Sequence, residues 1–173
     1  MNIILTGFMG TGKSSVGKIL ARECGLEFLD LDDIIETASG ASIKEIFNSG
    51  GETEFRRLEA EAIEKVVSGA YGANCVLATG GGAVLRKSNR DALRRWGTVV
   101  LLTASVDEML DRVGKAEARP LLSGAKRRDT IERLMAERDS AYGDCDLSVD
   151  TTGLTMAEVV ARIKGFLKER GLN

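Results

Sequence analysis

The sequence predicts an α/β protein built on a parallel sheet, and three observations carry that expectation. Short apolar runs alternate with longer amphipathic segments, the pattern of successive βαβ units. The first run, Asn2–Ile3–Ile4–Leu5–Thr6, passes at once into a glycine-rich turn and then a helical period. At 173 residues the chain is long enough for one compact domain with a normal core and too short for two.

Taken in order, strands are expected at residues 2–6, 26–31, 74–78, 97–102 and 146–150. Helical segments are expected at about 13–24, 43–48, 52–68, 84–95, 105–113, 129–142 and 155–169. The first carries Val16, Ile19 and Leu20 on one face, and Gly25 stands where a C-cap glycine belongs. Residues 52–68 have an apolar stripe at 55, 58, 62, 63, 66 and 67. Thr155 and Glu158 have the spacing of a capping box. Residues 114–128 fit neither period: two glycines, five Lys or Arg and the chain's one proline, Pro120. A basic segment this late in the chain reads as a lid that closes over phosphates.

Composition narrows the function classes. Hydrophobic residues make up 43% and charged residues 29%, with a formal net charge of −2. Basic residues are spread along the chain, so no nucleic-acid partner is expected. No apolar run approaches the about 20 residues of a membrane span. The N-terminus has no basic leader region, which leaves the cytoplasm as the simplest location and no membrane among the partners. The absence of histidine excludes His-based triads and His-ligated zinc. Cys24, Cys75 and Cys145 are too scattered for a disulfide framework or a metal site. Nothing demands more than a monomer.

Residues 7–14, GFMGTGKS, match G-x-x-x-x-G-K-[ST] between a strand and a helix. Glycines there let successive N–H groups turn inward on a phosphate chain; Lys13 supplies a cation and Ser14 a hydroxyl for Mg²⁺. Nucleoside triphosphate binding follows.

Asp30 and Asp32 stand two apart in Glu27–Phe28–Leu29–Asp30–Leu31–Asp32–Asp33. Read as strand, they share a face at about 7 Å, at the carboxyl end where open α/β sheets bind ligands. That placement suggests Asp30 for a metal and Asp32 for a substrate hydroxyl, with Asp33 capping the next helix. Arg57 and Glu61 have the spacing of an exposed pair, and Arg56 has the same option with Glu59. Arg138 falls on the apolar stripe of its helix beside Tyr142, either snorkelling or facing a ligand anion. Thr79–Gly80–Gly81–Gly82 suggests backbone laid against a ligand.

With these residues placed, the chain resembles the shikimate kinases over nearly its full length. GFMGTGKS followed by SVGKILA, then LDLDDIIE, IFNSGGETEFRRLE, LATGGGAV, RPLL and AERDSAY occur in order at fitting spacings. The resemblance implies a P-loop fold related to the nucleoside monophosphate kinases. It would be a three-layer α/β/α arrangement with a five-stranded parallel sheet, a lid and a substrate-binding region at about 31–60. It implies transfer of the γ-phosphoryl of ATP to the 3-hydroxyl of shikimate, with Mg²⁺, in chorismate and aromatic amino acid biosynthesis.

Position by position, it places the ATP phosphates on residues 10 to 15 (Gly10, Thr11, Gly12, Lys13, Ser14, Ser15). Ser14 and Asp30 would take the metal side. Asp32 would grip the attacking hydroxyl; Arg56, Arg138 and the backbone from Gly80 to Gly82 would bind the shikimate carboxylate. Arg119 would reach the transferring phosphate, Arg112 would lie against adenine, and Val149–Asp150–Thr151–Thr152 would form the adenine loop. A kinase for gluconate or a nucleoside monophosphate is the alternative; a GTP-dependent switch would need an N-K-x-D motif, which the chain lacks.

Overall fold

The computed structural model describes residues 1–114 and 127–172. Among them, β1 (Ile3–Thr6), β2 (Glu27–Asp30), β3 (Cys75–Ala78), β4 (Thr98–Thr103) and β5 (Leu147–Asp150) form one parallel sheet. Its order is β2-β3-β1-β4-β5. Seven helices among the described residues cover it: α1 (Lys13–Cys24), α2 (Leu31–Ser39), α3 (Ile43–Val67), α4 (Lys87–Trp96), α5 (Val106–Gly114), α6 (Arg127–Tyr142) and α7 (Met156–Glu169).

The two-residue period of β1 decides which layer each side chain joins. Ile3 and Leu5 pack with Val16 and Leu20 of α1 and with Val160 and Ile163 of α7. Ile4 points the other way, into a core with Ile34, Ile63, Leu93, Met109 and Ile131 from α2 through α6. Burying each such side chain contributes about 1.5–3 kcal/mol before chain entropy is counted. Two helix ends match the sequence. Gly25 closes α1 with φ 66° and donates to the Ala21 carbonyl, and Thr155 and Glu158 form a complete capping box on α7. All three cysteines are free, and burial raises each thiol's pKa.

Three segments depart from the expected pattern. The run 26–31 does not stay extended: β2 stops at Asp30, and Leu31 begins a nine-residue helix. The alternation in EFLDLDD imitates a strand. Leu31, Ile34 and Ile35, at helical spacing, bury against the core and decide the matter. The helices expected at 43–48 and 52–68 are one run, α3, broken at Gly51, whose φ of 67° and ψ of −168° no helical residue adopts. The segment 84–95 divides into a 3₁₀ turn, Ala83–Leu85, and α4, with Arg86 extended between them.

Candidate active site

Phosphate-binding geometry is built where β1 turns into α1. Gly12 sits at φ 91°, a conformation that a Cβ would strain, and opens the first turn of α1 without any acidic side chain there. The N–H groups and positive end of α1 are therefore left for an anion. The ammonium of Lys13, 9% exposed, donates to the carbonyls of Gly7 at 2.9 Å and Phe8 at 2.8 Å. Thr11 is buried, and its hydroxyl donates to the Phe8 carbonyl.

The two acids reach the site differently from the strand reading. Asp30 ends β2 and is itself the N-cap of α2, accepting from the Asp32 N–H at 3.1 Å. Asp32 lies in the first helical turn, not two residues along a strand, and Asp33 is inside the helix rather than its cap. The start of α2 thus sets its positive end beside all three acids. The Ser14 hydroxyl donates to Asp30 Oδ2 at 2.7 Å. These two hard oxygen donors suit Mg²⁺, which takes one or two protein oxygens and completes its shell with phosphates and water. Among the described residues no larger cluster of metal-ligating side chains occurs, and a site of this kind needs none.

The wall across from these acids is built by α3, α6 and the glycine turn after β3. Register sets Asp30 opposite Ala78, so the turn beginning at Thr79 runs beside the acids. Arg56 Nη1 donates to Glu59 Oε2 at 2.8 Å, while Nε and Nη2 donate to Glu52 Oε1 at 3.3 and 3.2 Å. The guanidinium lies close against Gly82: a Cβ there would come within 2.3 Å of Nη2. Arg138 is buried, 5.4 Å above the Phe8 ring, with Nη1 3.4 Å from the Gly81 carbonyl. The Tyr142 hydroxyl donates to the same carbonyl, and burial pushes the phenol's pKa up.

Glu59 is the residue that sequence reasoning left in the background. It is 1% exposed, its Oε1 accepts no hydrogen bond among the described residues, and that oxygen faces Gly80 beside Asp32. Burial raises its carboxyl pKa against the pull of Arg56, and the negative charge of Asp32 adds to the rise. Arg57, by contrast, pairs with Glu54 and Glu61 on the exposed side of α3, as the spacing suggested.

The pieces converge on two adjoining hollows. One, of about 290 Å³, is lined by Asp32, Arg56, Glu59, Arg138 and all three glycines of the turn. The other, of about 570 Å³, is lined by Gly10, Gly12, Lys13, Ser14, Ser15, Asp30 and Arg112. Asp32 and Asp33 line both. Arg112, far along the chain, reaches in from α5 and donates to the Gly10 carbonyl at 3.3 Å and to Thr151 Oγ1 at 3.1 Å. Met156, a methionine 46% exposed, also lines this hollow; its exposure is a signal visible only in the fold. Arg119 lies outside the described residues, as does most of the expected lid. No helix among those described is long and apolar enough to cross a membrane.

Comparison with known proteins agrees with this geometry. Residues 9–168 match the family model described as shikimate kinase. The chain is 48% identical to the shikimate kinase of Geobacter metallireducens, covering 98% of this chain and 93% of that one. It is also 48% identical to the shikimate kinase of Geobacter sulfurreducens, with coverages of 97% and 91%. Among solved structures, the shikimate kinase of Acinetobacter baumannii in complex with shikimate superposes with a TM-score of 0.92 at 35% identity, covering 99% of this chain and 95% of that one. The shikimate kinase of Aquifex aeolicus gives 0.82 at 32% identity, with coverages of 100% and 99%. A P-loop beside a cationic acceptor hollow, and relatives alike over nearly their whole length, lead to one conclusion: the chain belongs to the shikimate kinase family.

Proposed function

We infer that this protein transfers the γ-phosphoryl group of ATP to the 3-hydroxyl of shikimate, giving shikimate 3-phosphate and ADP. The observation that carries the reading is the position of Asp32, on the shared wall of the phosphate hollow and the arginine-lined hollow. An acceptor hydroxyl held there faces the terminal phosphate of a nucleotide held by the loop.

Shikimate is a small ring with one carboxylate and three hydroxyls. Arg56 and Arg138 supply cations for the carboxylate, with the backbone from Gly80 to Gly82 as the wall between them. Asp32 orients the 3-hydroxyl, and Glu59 Oε1 offers a second buried acceptor for a ring hydroxyl. The hydroxyl oxygen forms its bond to the γ-phosphorus as the bond to the β–γ bridging oxygen breaks. ADP leaves with that electron pair, and the hydroxyl proton passes to Asp32 late in the step. Lys13 and the N–H groups at the start of α1 offset charge on the transferring group, and Arg119 is assigned the same task from the lid. Mg²⁺, held by Ser14 and indirectly by Asp30, would supply further charge neutralisation on the phosphate oxygens.

An ATP-consumption assay with and without shikimate tests the reading. Consumption that rises with shikimate, with a phosphate monoester at C3 by phosphorus NMR, is expected. Equal consumption in both arms, or faster turnover of gluconate or a nucleoside monophosphate, overturns it.

A further inference from the structure

Glu108 has no part in the chemistry above, yet it sits where three elements meet. It is four residues before Arg112 on α5, and the two side chains form an ion pair. A pair of this spacing on a helix surface ordinarily contributes a few tenths of a kcal/mol. This one is different, because both carboxylate oxygens are engaged on different partners. Oε2 accepts from Arg112, while Oε1 accepts from the backbone N–H of Gly153 at 2.6 Å. Gly153 lies in the turn between β5 and α7, with φ 68°. The far side of that turn is pinned separately: Thr152 Oγ1 accepts from the Ser105 N–H at 2.9 Å, and Asp150 Oδ1 accepts from the Thr152 N–H at 2.9 Å. Arg112 continues the chain of contacts to Thr151 and to the Gly10 carbonyl of the phosphate loop. One carboxylate thus joins the helix that carries Arg112 to the turn after β5, and through Arg112 to the P-loop.

We propose that Glu108 is a positioning residue for the base end of the nucleotide site, fixing the Arg112 guanidinium and the turn at Gly153 together. The proposal rests on the reading of Arg112 as the group that lies against adenine. An arginine has a long side chain with much rotational freedom, and it presents a flat face to a base only if its edge is held. Glu108 holds that edge. The Gly153 end of the turn expected to face the base is held by the same anion. Removing Glu108 therefore loosens Arg112 and the Gly153 turn while leaving Lys13, Ser14 and the start of α1 untouched.

The test uses the full-length protein and four variants: Glu108→Ala, Glu108→Gln, Arg112→Ala, and the Glu108→Ala, Arg112→Ala double. Calorimetric affinities are measured for ATP and for inorganic tripolyphosphate, which has the phosphates without the base. Glu108→Ala is expected to weaken ATP binding about tenfold, the size of one lost charged hydrogen bond, and tripolyphosphate less than twofold. KM for ATP rises several-fold more than kcat changes. The double variant binds ATP no more weakly than the weaker single, because the two residues act as one unit. Glu108→Gln keeps an acceptor for Gly153 but no charge for Arg112, and falls between Ala and the parent.

Equal losses for ATP and tripolyphosphate, unchanged ATP affinity in Glu108→Ala, or additive losses in the double variant would overturn the inference. Normal ATP binding in Arg112→Ala removes the adenine assignment itself. A weak Arg112→Ala beside a normal Glu108→Ala removes only the positioning role of Glu108. Melting curves of the ligand-free variants separate loss of fold from loss of positioning.

Discussion

Arg56 and Glu59 form a 2.8 Å ion pair less than one helical turn apart in α3, with the carboxylate 1% exposed and the guanidinium edge still reachable from the acceptor hollow. A buried carboxylate thereby fixes one edge of a guanidinium on the wall of that hollow. Because burial and then Asp32 act against Arg56 on the Glu59 carboxyl, its pKa lies above the ordinary 4.5. The folded chain holds that proton more tightly than the unfolded chain does. This group's contribution to stability is therefore complete below pH 4.5 and is lost as the pH rises through the folded value. Glu59→Gln should flatten that part of the stability–pH profile while raising KM for shikimate. Urea midpoints taken from pH 4.5 to neutrality check the first point; profiles that stay parallel to the parent's would refute it.

Glu52 sits on the Nε and Nη2 edge of Arg56, the edge suited to a bidentate carboxylate. Its side chain is 65% exposed, so the contact contributes about 0.2–1 kcal/mol. With Arg56 proposed as the partner of the substrate carboxylate, that carboxylate has to displace Glu52. Glu52→Gln should tighten shikimate binding by about 1.5- to 5-fold, the range that this energy allows, and more so at low salt than at high. Calorimetry at two ionic strengths gives the answer, and weaker binding in the variant would show that Glu52 helps rather than competes.

Gly82→Ala probes the same arginine from the other side. The backbone there is unstrained at φ −108°, and the three atoms nearest the new methyl group all belong to the far end of Arg56. Moving the guanidinium leaves the buried Glu59 carboxylate without its ion pair, so a loss in stability of about 1–3 kcal/mol is expected. The guanidinium must leave its place, so KM for shikimate should rise about tenfold or more while KM for ATP holds. A change in both KM values together would mean that the turn itself had moved.

Arg56→Ala and Arg119→Ala are expected to divide along the two steps. The first removes a ground-state contact to the acceptor and should raise KM for shikimate with a smaller effect on turnover. The second removes positive charge from the transferring group and should chiefly lower kcat, by as much as ~10³-fold for an arginine in that role. Steady-state kinetics with the opposite division would exchange the two assignments.

Much of the fold was legible in the sequence because it depends on local pattern. The strand–glycine–helix signature of residues 2–24 needs no partner to be read, and Gly25 and Thr155 mark helix ends by their own chemistry. Asp30 and Asp32 do line the hollows, but not as two residues sharing the face of one strand. Alternating polarity over seven residues fits a strand and the opening of a helix equally well, and only the burial of Leu31, Ile34 and Ile35 separates them. Glu59 and Glu108 look like surface acids on amphipathic helices until the fold lays Gly80 against one and Gly153 against the other. Met156 follows a helix cap and gives no sign of its neighbours. Long-range contacts of this kind have no period to betray them.

The junction of β2 and α2 has a consequence for how tolerant the enzyme is of change. No spacer separates Asp30, closing the strand, from Leu31, opening the helix. The spacing between Asp30, proposed for the cation side, and Asp32, proposed to take the proton, is thus written into one turn of main chain. Surface loops elsewhere can lengthen or shorten without disturbing it. A single residue inserted at this point would rotate Asp32 by about 100°, the angle one residue spans in a helix, and leave two intact substrate sites that no longer share an axis.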